Sequence, residues 1–333
     1  MKLGIVGTGT IAREVLPLLR GWGIDPRALC GTPRSKDAVE ELCRTNNIKE
    51  GCCDYSKMLT ASDVDTVYVA VPNHLHYDFA RQALDAGKHV IVEKPMTSND
   101  REAVELARLA KERSLYLFEA ISTAYLPNYQ KIRELLPRVG EMKIVTCNFS
   151  QYSRRYDEFR KGNILPVFDP EKAGGALMDL NLYNLHYIMG LFGSPKSVRY
   201  QANMERGIDT SGVVTMDYGS FQAIAIAAKD CSAPASCVIQ GTEGYIQQST
   251  PANFCGAVTL RLNDGTEEVY NEQPMSRMEP EFRHFLREID SGVRSNCYEM
   301  LSQSVAISKA QTEARMGAKI YFPSDVEGMV QQT

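Results

Sequence analysis

The sequence contains no apolar run that approaches the roughly 18 residues needed to cross a membrane. It also has no excess of one charge, since 37 Lys and Arg stand against 41 Asp and Glu and the net charge is -4 at pH 7. We therefore expect that the protein binds neither nucleic acid nor a membrane surface. The apolar run from Leu3 to Val6 is too short for the core of a secretory signal, so we expect a cytoplasmic protein.

Cysteine is present nine times, but not in a pattern that indicates cross-linking. An odd number with irregular spacing does not match a disulfide framework. Cys52 and Cys53 are adjacent, and neither this pair nor Cys231 with Cys237 has the spacing of a zinc site. We therefore expect reduced thiols and no metal site.

The residues from 1 to 120 alternate between strand and helix patterns, which is typical of a parallel sheet with crossover helices. Pro17 lies inside the first helix pattern, Thr10 to Arg20, and should kink that helix or end it. After residue 120 the pattern changes to successive strands joined by hairpin turns such as Asn263-Asp264-Gly265. The sequence therefore predicts an α/β domain over 1–120 and an α+β domain over 121–333.

A glycine-rich turn follows the first predicted strand and opens the first predicted helix. It matches the G-x-G-x-x-A fingerprint of dinucleotide-binding Rossmann domains in the run Gly7-Thr8-Gly9-Thr10-Ile11-Ala12. Gly7 permits the tight turn, Gly9 lets the backbone approach a pyrophosphate, and the small Ala12 lets the helix pack close to the strand. The N–H groups at the helix start would then face the phosphates. A nicotinamide dinucleotide site is the prediction.

The end of the second predicted strand bears on the choice of dinucleotide. An acidic residue there would bind the ribose 2′-hydroxyl of NAD, but Thr32-Pro33-Arg34-Ser35-Lys36 contains none. Thr32, Arg34 and Ser35 suit a 2′-phosphate instead, because a guanidinium offers a fork of donors. Either these residues select NADP over NAD, or Arg34 and Lys36 are simply exposed at a helix start. We expect NADP as the preferred cofactor, with NAD as the alternative.

Two further segments carry groups that suit catalysis. Lys94 ends a predicted strand in Glu93-Lys94-Pro95, where it would place a cation beside a reacting oxygen or form an ordinary ion pair with Glu93. The Lys94–Pro95 step also invites a cis peptide. In the apolar helix that follows Gly174-Gly175, Asp179, Tyr183 and His186 are spaced to share one face. They form either a hydrogen-bonded core network or a catalytic face.

These motifs, together with Val71-Pro72-Asn73-His74-Leu75-His76, occur in an order that resembles the glucose-fructose oxidoreductase and inositol dehydrogenase (Gfo/Idh/MocA) family over nearly the whole chain. The resemblance implies a Rossmann domain joined to an α+β domain with a large, mostly antiparallel open sheet. That sheet would make the contact of a homodimer or homotetramer. The resemblance also implies oxidation or reduction of a small sugar, polyol or dihydrodiol with NAD(P).

By position, the resemblance implies that Lys94 is the lysine at the reacting oxygen and that Asp179 is its acidic companion. The same carry-over assigns residues to the nicotinamide end of the cofactor: Val71, Pro72, Asn73, His76 and Glu93. Tyr183 stands where inositol dehydrogenases of the family have histidine, which is similar to the dihydrodiol dehydrogenase and glucose-fructose oxidoreductase branches. This difference argues against myo-inositol as the substrate.

Tyr183 is the residue expected to exchange the proton of the reacting carbinol. A free phenol ionises only at about pH 10, so a nearby cation is needed at neutral pH, and Lys94 would supply it. His186 is the alternative acid, or else a core histidine, and Tyr125 is expected to face the substrate. Four basic residues in a predicted loop either bind an acidic substrate or are solvated: Arg154, Arg155, Arg160 and Lys161. The competing hypothesis is a non-catalytic dinucleotide-binding regulator, which needs only the dinucleotide pocket.

Overall fold

A computed structural model of the chain describes residues 1–61 and 63–330, and the strands in this part of the chain form two sheets. The strands of the first sheet are β1 (Lys2–Val6), β2 (Asp25–Cys30), β3 (Glu50–Cys52), β4 (Thr66–Val69), β5 (His89–Glu93) and β6 (Leu117–Ala120). Those of the second are β7 (Met142–Ser150), β8 (Ser197–Glu205), β9 (Ile208–Asp217), β10 (Gln222–Ala228), β11 (Ser236–Gly241), β12 (Gly244–Gln248), β13 (Val258–Leu262) and β14 (Glu267–Tyr270).

The helices alternate with the strands of the first sheet and then flank or follow those of the second. They are α1 (Thr10–Val15), α2 (Lys36–Thr45), α3 (Tyr55–Ala61), α4 (His76–Asp85), α5 (Asp100–Glu112), α6 (Pro127–Leu135), α7 (Arg154–Arg160), α8 (Leu182–Phe192), α9 (Glu279–Ser291), α10 (Ser295–Gly317) and α11 (Pro323–Val330). The first helix ends at Val15 rather than at Arg20, because Pro17 has no backbone N–H to continue it. In residues 1–61 and 63–330, no helix combines the length and apolar character that a bilayer crossing demands.

The first sheet is parallel and has the strand order β3-β2-β1-β4-β5-β6. The chain therefore moves outward from β1 in one direction through β2 and β3, and in the other through β4, β5 and β6. This reversal creates a crevice at the carboxyl ends of β1 and β4, which is where ligands bind in open α/β sheets. Every residue of β4 is buried, as expected for a central strand covered on both faces. The predicted Rossmann fold is confirmed.

The chain divides into two compact units, and the first combines Met1–Ala120 with Glu281–Val305. The sequence predicted a single domain boundary after residue 120, and it did not predict that the chain returns to the first unit over Glu281–Val305. The physical basis of this return is aromatic packing by α9, where the Phe282 ring lies 5.6 Å from that of Trp22 and the Phe285 ring lies 4.5 Å from that of Phe118. Phe282 and Phe285 are fully buried, so the return completes the core of the first unit.

The second unit contains Ile121–Pro280 and the C-terminal stretch that begins at Ala306. Its sheet has the order β14-β13-β12-β11-β7-β10-β9-β8 and is antiparallel except for the pair β7 and β10. The predicted α+β architecture with a large, mostly antiparallel sheet is therefore confirmed. Along β7 the inward residues Val145, Cys147 and Phe149 are buried, and they belong to the same core cluster as the apolar residues of α8.

Candidate active site

The glycine turn after β1 has the geometry that a dinucleotide pyrophosphate requires. Gly7 has φ +119°, and a Cβ at this position would overlap the carbonyl oxygen of Ala70 at the end of β4. A Cβ on Gly9 would meet no atom within 4 Å, so open space lies beside the backbone that begins α1. Ala12 is fully buried, as close packing of helix on strand demands. The turn therefore fits a dinucleotide, with Thr8, Thr10 and Ile11 in the same turn.

The segment after β2 is fixed by a capping box and leaves its cation exposed. Thr32 donates its backbone N–H to Oγ of Ser35 at 2.9 Å, and the two side-chain oxygens lie 3.2 Å apart. Arg34 lies between these two residues on the surface. No carboxylate occurs from Gly31 to Lys36, so this end of the site has donors and hydroxyls but no ribose-binding acid.

The segment after β5 places Lys94 at the carboxyl edge of the sheet, one strand away from the crevice. The Lys94–Pro95 peptide is cis, which is the less common of the two forms that the sequence left open. Pro95 O lies 2.7 Å from Nδ1 of His76, and Met96 N–H donates to Oε1 of Glu119 at 2.9 Å. The backbone that follows Lys94 is therefore held by α4 on one side and by β6 on the other.

His76 is buried, and its ring bridges the segments that follow β4 and β5. Its Nε2 lies 2.9 Å from the carbonyl oxygen of Val71, so both ring nitrogens face backbone acceptors. Burial lowers the pKa of His76, and the neutral ring carries one N–H to share between Val71 and Pro95. His76 thus ties the Val71-Pro72-Asn73 segment to the Lys94 segment. Glu93 accepts a hydrogen bond from the buried Tyr68 hydroxyl.

In the second unit, a glycine and a buried carboxylate fix the start of the predicted catalytic helix. Gly175 has φ +108°, and a Cβ there would collide with Oδ1 of Asp209. Oδ2 of Asp209 accepts the backbone N–H of Leu177 at 2.7 Å and the Tyr200 hydroxyl at 2.7 Å. The close approach of Asp209 to the helix start therefore requires glycine at position 175.

The helix itself is interrupted by a π turn that the apolar periodicity did not predict. Leu177–Asn181 is π-helical and α8 continues from Leu182, so Asp179 precedes the α-helical register of Tyr183 and His186. A π turn contains one residue more than an α-helical turn. It therefore rotates the side chains that precede it about the helix axis, relative to those that follow it. Tyr183 and His186 are buried, and the ring of Tyr183 lies 6.1 Å from that of Phe149 on β7.

Asp179 has an ion-pair partner that was not predicted from the sequence. Nζ of Lys229 donates to Oδ2 of Asp179, and Lys229 directly follows β10. The signal was available, because Lys229-Asp230 is a charged pair at the end of an apolar strand, as is Glu93-Lys94. Fifty positions separate Lys229 from Asp179, so only the fold could join them.

A cavity of about 410 Å³ lies within the second unit. Phe149, the ring neighbour of Tyr183, lines it together with Asn253, Phe254 and Arg277.

The remaining predicted groups lie elsewhere in this unit. Tyr125 is half-buried at the end of a short 3₁₀ turn, Ser122–Tyr125, and the basic segment predicted as a loop is the helix α7. Arg154, Arg155 and Arg160 of this helix and Lys161 directly after it are exposed.

Asp209 should make stability depend on pH in a predictable direction. Burial raises the pKa of Asp209 to about 6, although its hydrogen bonds from Tyr200 and Leu177 and the charge of Lys229 oppose the rise. Protonation therefore favours the folded state, and this contribution is fully present below about pH 4 and is lost as the pH rises through about 6. Relative to Asp209→Asn, the wild-type free energy of unfolding should fall by up to about 3 kcal/mol from pH 4 to pH 7, since one pKa unit corresponds to about 1.4 kcal/mol.

Urea unfolding of both proteins at four pH values across this range measures the difference. A difference that stays constant with pH would show that Asp209 titrates at its ordinary value.

Comparison with known proteins identifies both halves of the chain. The model described as "Oxidoreductase family, NAD-binding Rossmann fold" matches residues 1–121, and that of the GFO/IDH/MocA C-terminal domain matches 129–247. Scyllo-inositol 2-dehydrogenase (NADP(+)) of Bacillus subtilis is 32% identical over 88% of this chain and 89% of its own length. Trans-1,2-dihydrobenzene-1,2-diol dehydrogenase of Xenopus laevis is 25% identical over 97% of this chain and 99% of its own length.

Among solved structures, a 3-ketoreductase from Actinomadura kijaniata in complex with NADP and TDP-benzene has the same fold. The TM-score is 0.83 at 21% identity, and the match covers 97% of this chain and 99% of that one.

Proposed function

Because this chain belongs to the Gfo/Idh/MocA family of NAD-binding oxidoreductases, as its motifs predicted, we propose that it interconverts a carbinol and a carbonyl group on a small sugar, polyol or dihydrodiol. NADP is the preferred cofactor in this proposal and, when bound, it donates or accepts a hydride at C4 of its nicotinamide. The observation that carries the proposal is the position of Lys94, at the carboxyl end of β5 and one strand from the crevice beside Gly7 and Gly9.

The proposed roles of the chain's own residues follow from their chemistry. Lys94 places a cation at the reacting oxygen and stabilises negative charge that develops there. Tyr183 exchanges the proton of that oxygen. Asp179 is the acidic companion of Lys94, and His186 is the alternative proton carrier. Tyr125 faces the substrate in the same proposal.

The substrate class is supported by what the relatives' names state. One acts on scyllo-inositol and another on a trans-dihydrodiol, and both substrates carry vicinal hydroxyl groups. The cavity beside Phe149 and Phe254 adds apolar surface with Arg277 and Asn253 as polar groups, which suits a small ring bearing hydroxyls. We also propose a homodimer or homotetramer through the open sheet of the second unit, where the apolar side chain of Ile144 on β7 is exposed.

Arg34 provides a test of cofactor preference. Arg34→Ala should weaken NADPH binding by about tenfold and leave NADH binding unchanged, because a charge-assisted hydrogen bond to the 2′-phosphate contributes about 1.5 kcal/mol or more. Fluorescence titration of both cofactors gives the Kd values. Lys36→Ala is the matched control, since Lys36 is the neighbouring cation and pairs with Glu40 at 3.8 Å. Equal losses for NADPH and NADH would rule out a role for Arg34 in this selection.

The proposed function is tested by an activity screen of the purified chain. NADPH and NADH, and their oxidised forms, are assayed against inositols, aldoses, ketoses, dihydrodiols and their carbonyl counterparts. Turnover of at least one polyol or its carbonyl form is expected, with NADP(H) preferred. Protein that binds NADPH tightly but turns over no member of this panel would contradict the proposal and favour a dinucleotide-binding regulator.

A further inference from the structure

The geometry points to Lys229 as a positioning residue that holds the carboxylate of Asp179 in place and compensates its charge. The Lys229 side chain is 5% exposed, whereas that of Asp179 is 28% exposed. The ammonium therefore reaches the carboxylate from the buried side and leaves part of Asp179 accessible to solvent. This inference rests on the proposed function, in which Asp179 is the acidic companion of Lys94.

A buried ammonium requires partners, because burial disfavours the charged form. Nζ of Lys229 contacts Oδ2 of Asp179, and its positive charge also acts on the fully buried carboxylate of Asp209. Nζ lies 5.7 Å from the centroid of the Phe168 ring, which adds a cation–π contact. Lys229 thus lies among two carboxylates and an aromatic face, which provide a buried ammonium with partners.

The backbone of Lys229 is held from both sides, so its ammonium starts from a rigid position. Lys229 N–H donates to the carbonyl oxygen of Thr210 at 2.8 Å, and Ser153 N–H donates to the carbonyl oxygen of Lys229 at 2.9 Å. A cation anchored in this way fixes the position of one carboxylate oxygen of Asp179. The carboxylate of Asp179 is therefore held in one position while part of it remains exposed.

The Lys229–Asp179 pair differs from a purely structural ion pair because its two side chains are unequally exposed. The Arg315–Asp325 pair, also in the second unit, buries both side chains to 1% exposure. Each carboxylate oxygen of Asp325 accepts a hydrogen bond from the guanidinium of Arg315. Asp179 instead keeps an accessible side while its charge is compensated from within.

A double-mutant cycle with Asp179→Asn tests the inference. Lys229→Met should lower kcat by about tenfold or more in the wild-type background, which lies within the range of coupling between residues in contact. It should have little further effect when Asp179 is already asparagine, because the group through which Lys229 acts is gone. Lys229→Arg keeps the charge and should recover most of kcat. The Kd of NADPH should be unchanged in all of these variants.

Equal loss of kcat from Lys229→Met in both backgrounds would overturn the inference, as would no loss in either. Asp325→Asn is the matched control, because it breaks a buried ion pair of the same unit and should lower the unfolding temperature without changing kcat. If the wild type turns over no panel substrate, the proposed function fails. The unfolding free energies of the same four proteins then test the pair directly: non-additive changes support coupling of Lys229 to Asp179, and additive changes overturn it.

Discussion

Replacement of Lys94 by methionine is expected to lower kcat by about 100- to 1000-fold and to leave the Kd of NADPH nearly unchanged. Methionine retains an unbranched side chain but removes the cation that would stabilise the reacting oxygen as it gains negative charge. The backbone should stay in place, because Pro95 contacts His76 and Met96 donates to Glu119. Steady-state kinetics with the best substrate of the panel measures the loss, and fluorescence titration measures cofactor binding.

Lys88→Met is the matched control for Lys94→Met. Lys88 immediately precedes the opposite end of β5 and donates to the carbonyl oxygen of Val64 at 2.7 Å. Its removal changes the net charge equally, but at the amino edge of a parallel sheet, where no ligand is expected. Wild-type turnover in Lys94→Met would remove this lysine from the mechanism. Similar losses in both variants would indicate a general effect of charge.

Tyr183→Phe is expected to lower kcat by about 100- to 10,000-fold, the range associated with loss of a general acid or base. Phenylalanine preserves the ring and its contact with Phe149, so only the hydroxyl is lost and the unfolding temperature should change little. Binding of NADPH should also be retained. A large fall in kcat with an intact fold would therefore assign proton exchange to the Tyr183 hydroxyl. The measurement is kcat in both reaction directions with the same substrate pair.

Two further variants on α8 separate the possible proton carriers. Tyr187→Phe removes a fully buried hydroxyl one turn further along the helix and should leave kcat near the wild-type value. His186→Gln tests the alternative acid. If His186→Gln abolishes turnover while Tyr183→Phe retains it, then His186 is the proton carrier and the assignment of Tyr183 is wrong.

Most of the part of the first unit that lies in residues 1–120 could be predicted, because its signals are local. The glycine turn, the apolar strands and the helix starts lie within short segments, and Pro17 marks where α1 had to end. Two of the missed elements lack such signals. β3 is three residues long with a glycine at its centre, and α7 carries one buried apolar residue, Phe159, so neither shows the periodicity of its class.

The π turn before α8 could not be predicted, because it depends on contacts from distant strands. Asp209 on β9 holds the N–H of Leu177, and Asn181 and Asn184 donate to the carbonyl oxygens of Ala225 and Ile226 on β10. These bonds fix the helix at both sides of the turn. Apolar periodicity along one helix contains no information about such partners, so it predicted one continuous face.

The sequence by itself determined the dinucleotide turn, the family and the residue types proposed for catalysis, since each rests on neighbours in the chain. Only the tertiary structure showed that His76 ties Val71 to Pro95 and that Lys229 neutralises Asp179. It also revealed that Glu281–Val305 returns to the first unit. The reason is physical: burial of charge and of aromatic surface selects its partners by distance in space, and those partners lie up to hundreds of residues apart in the chain.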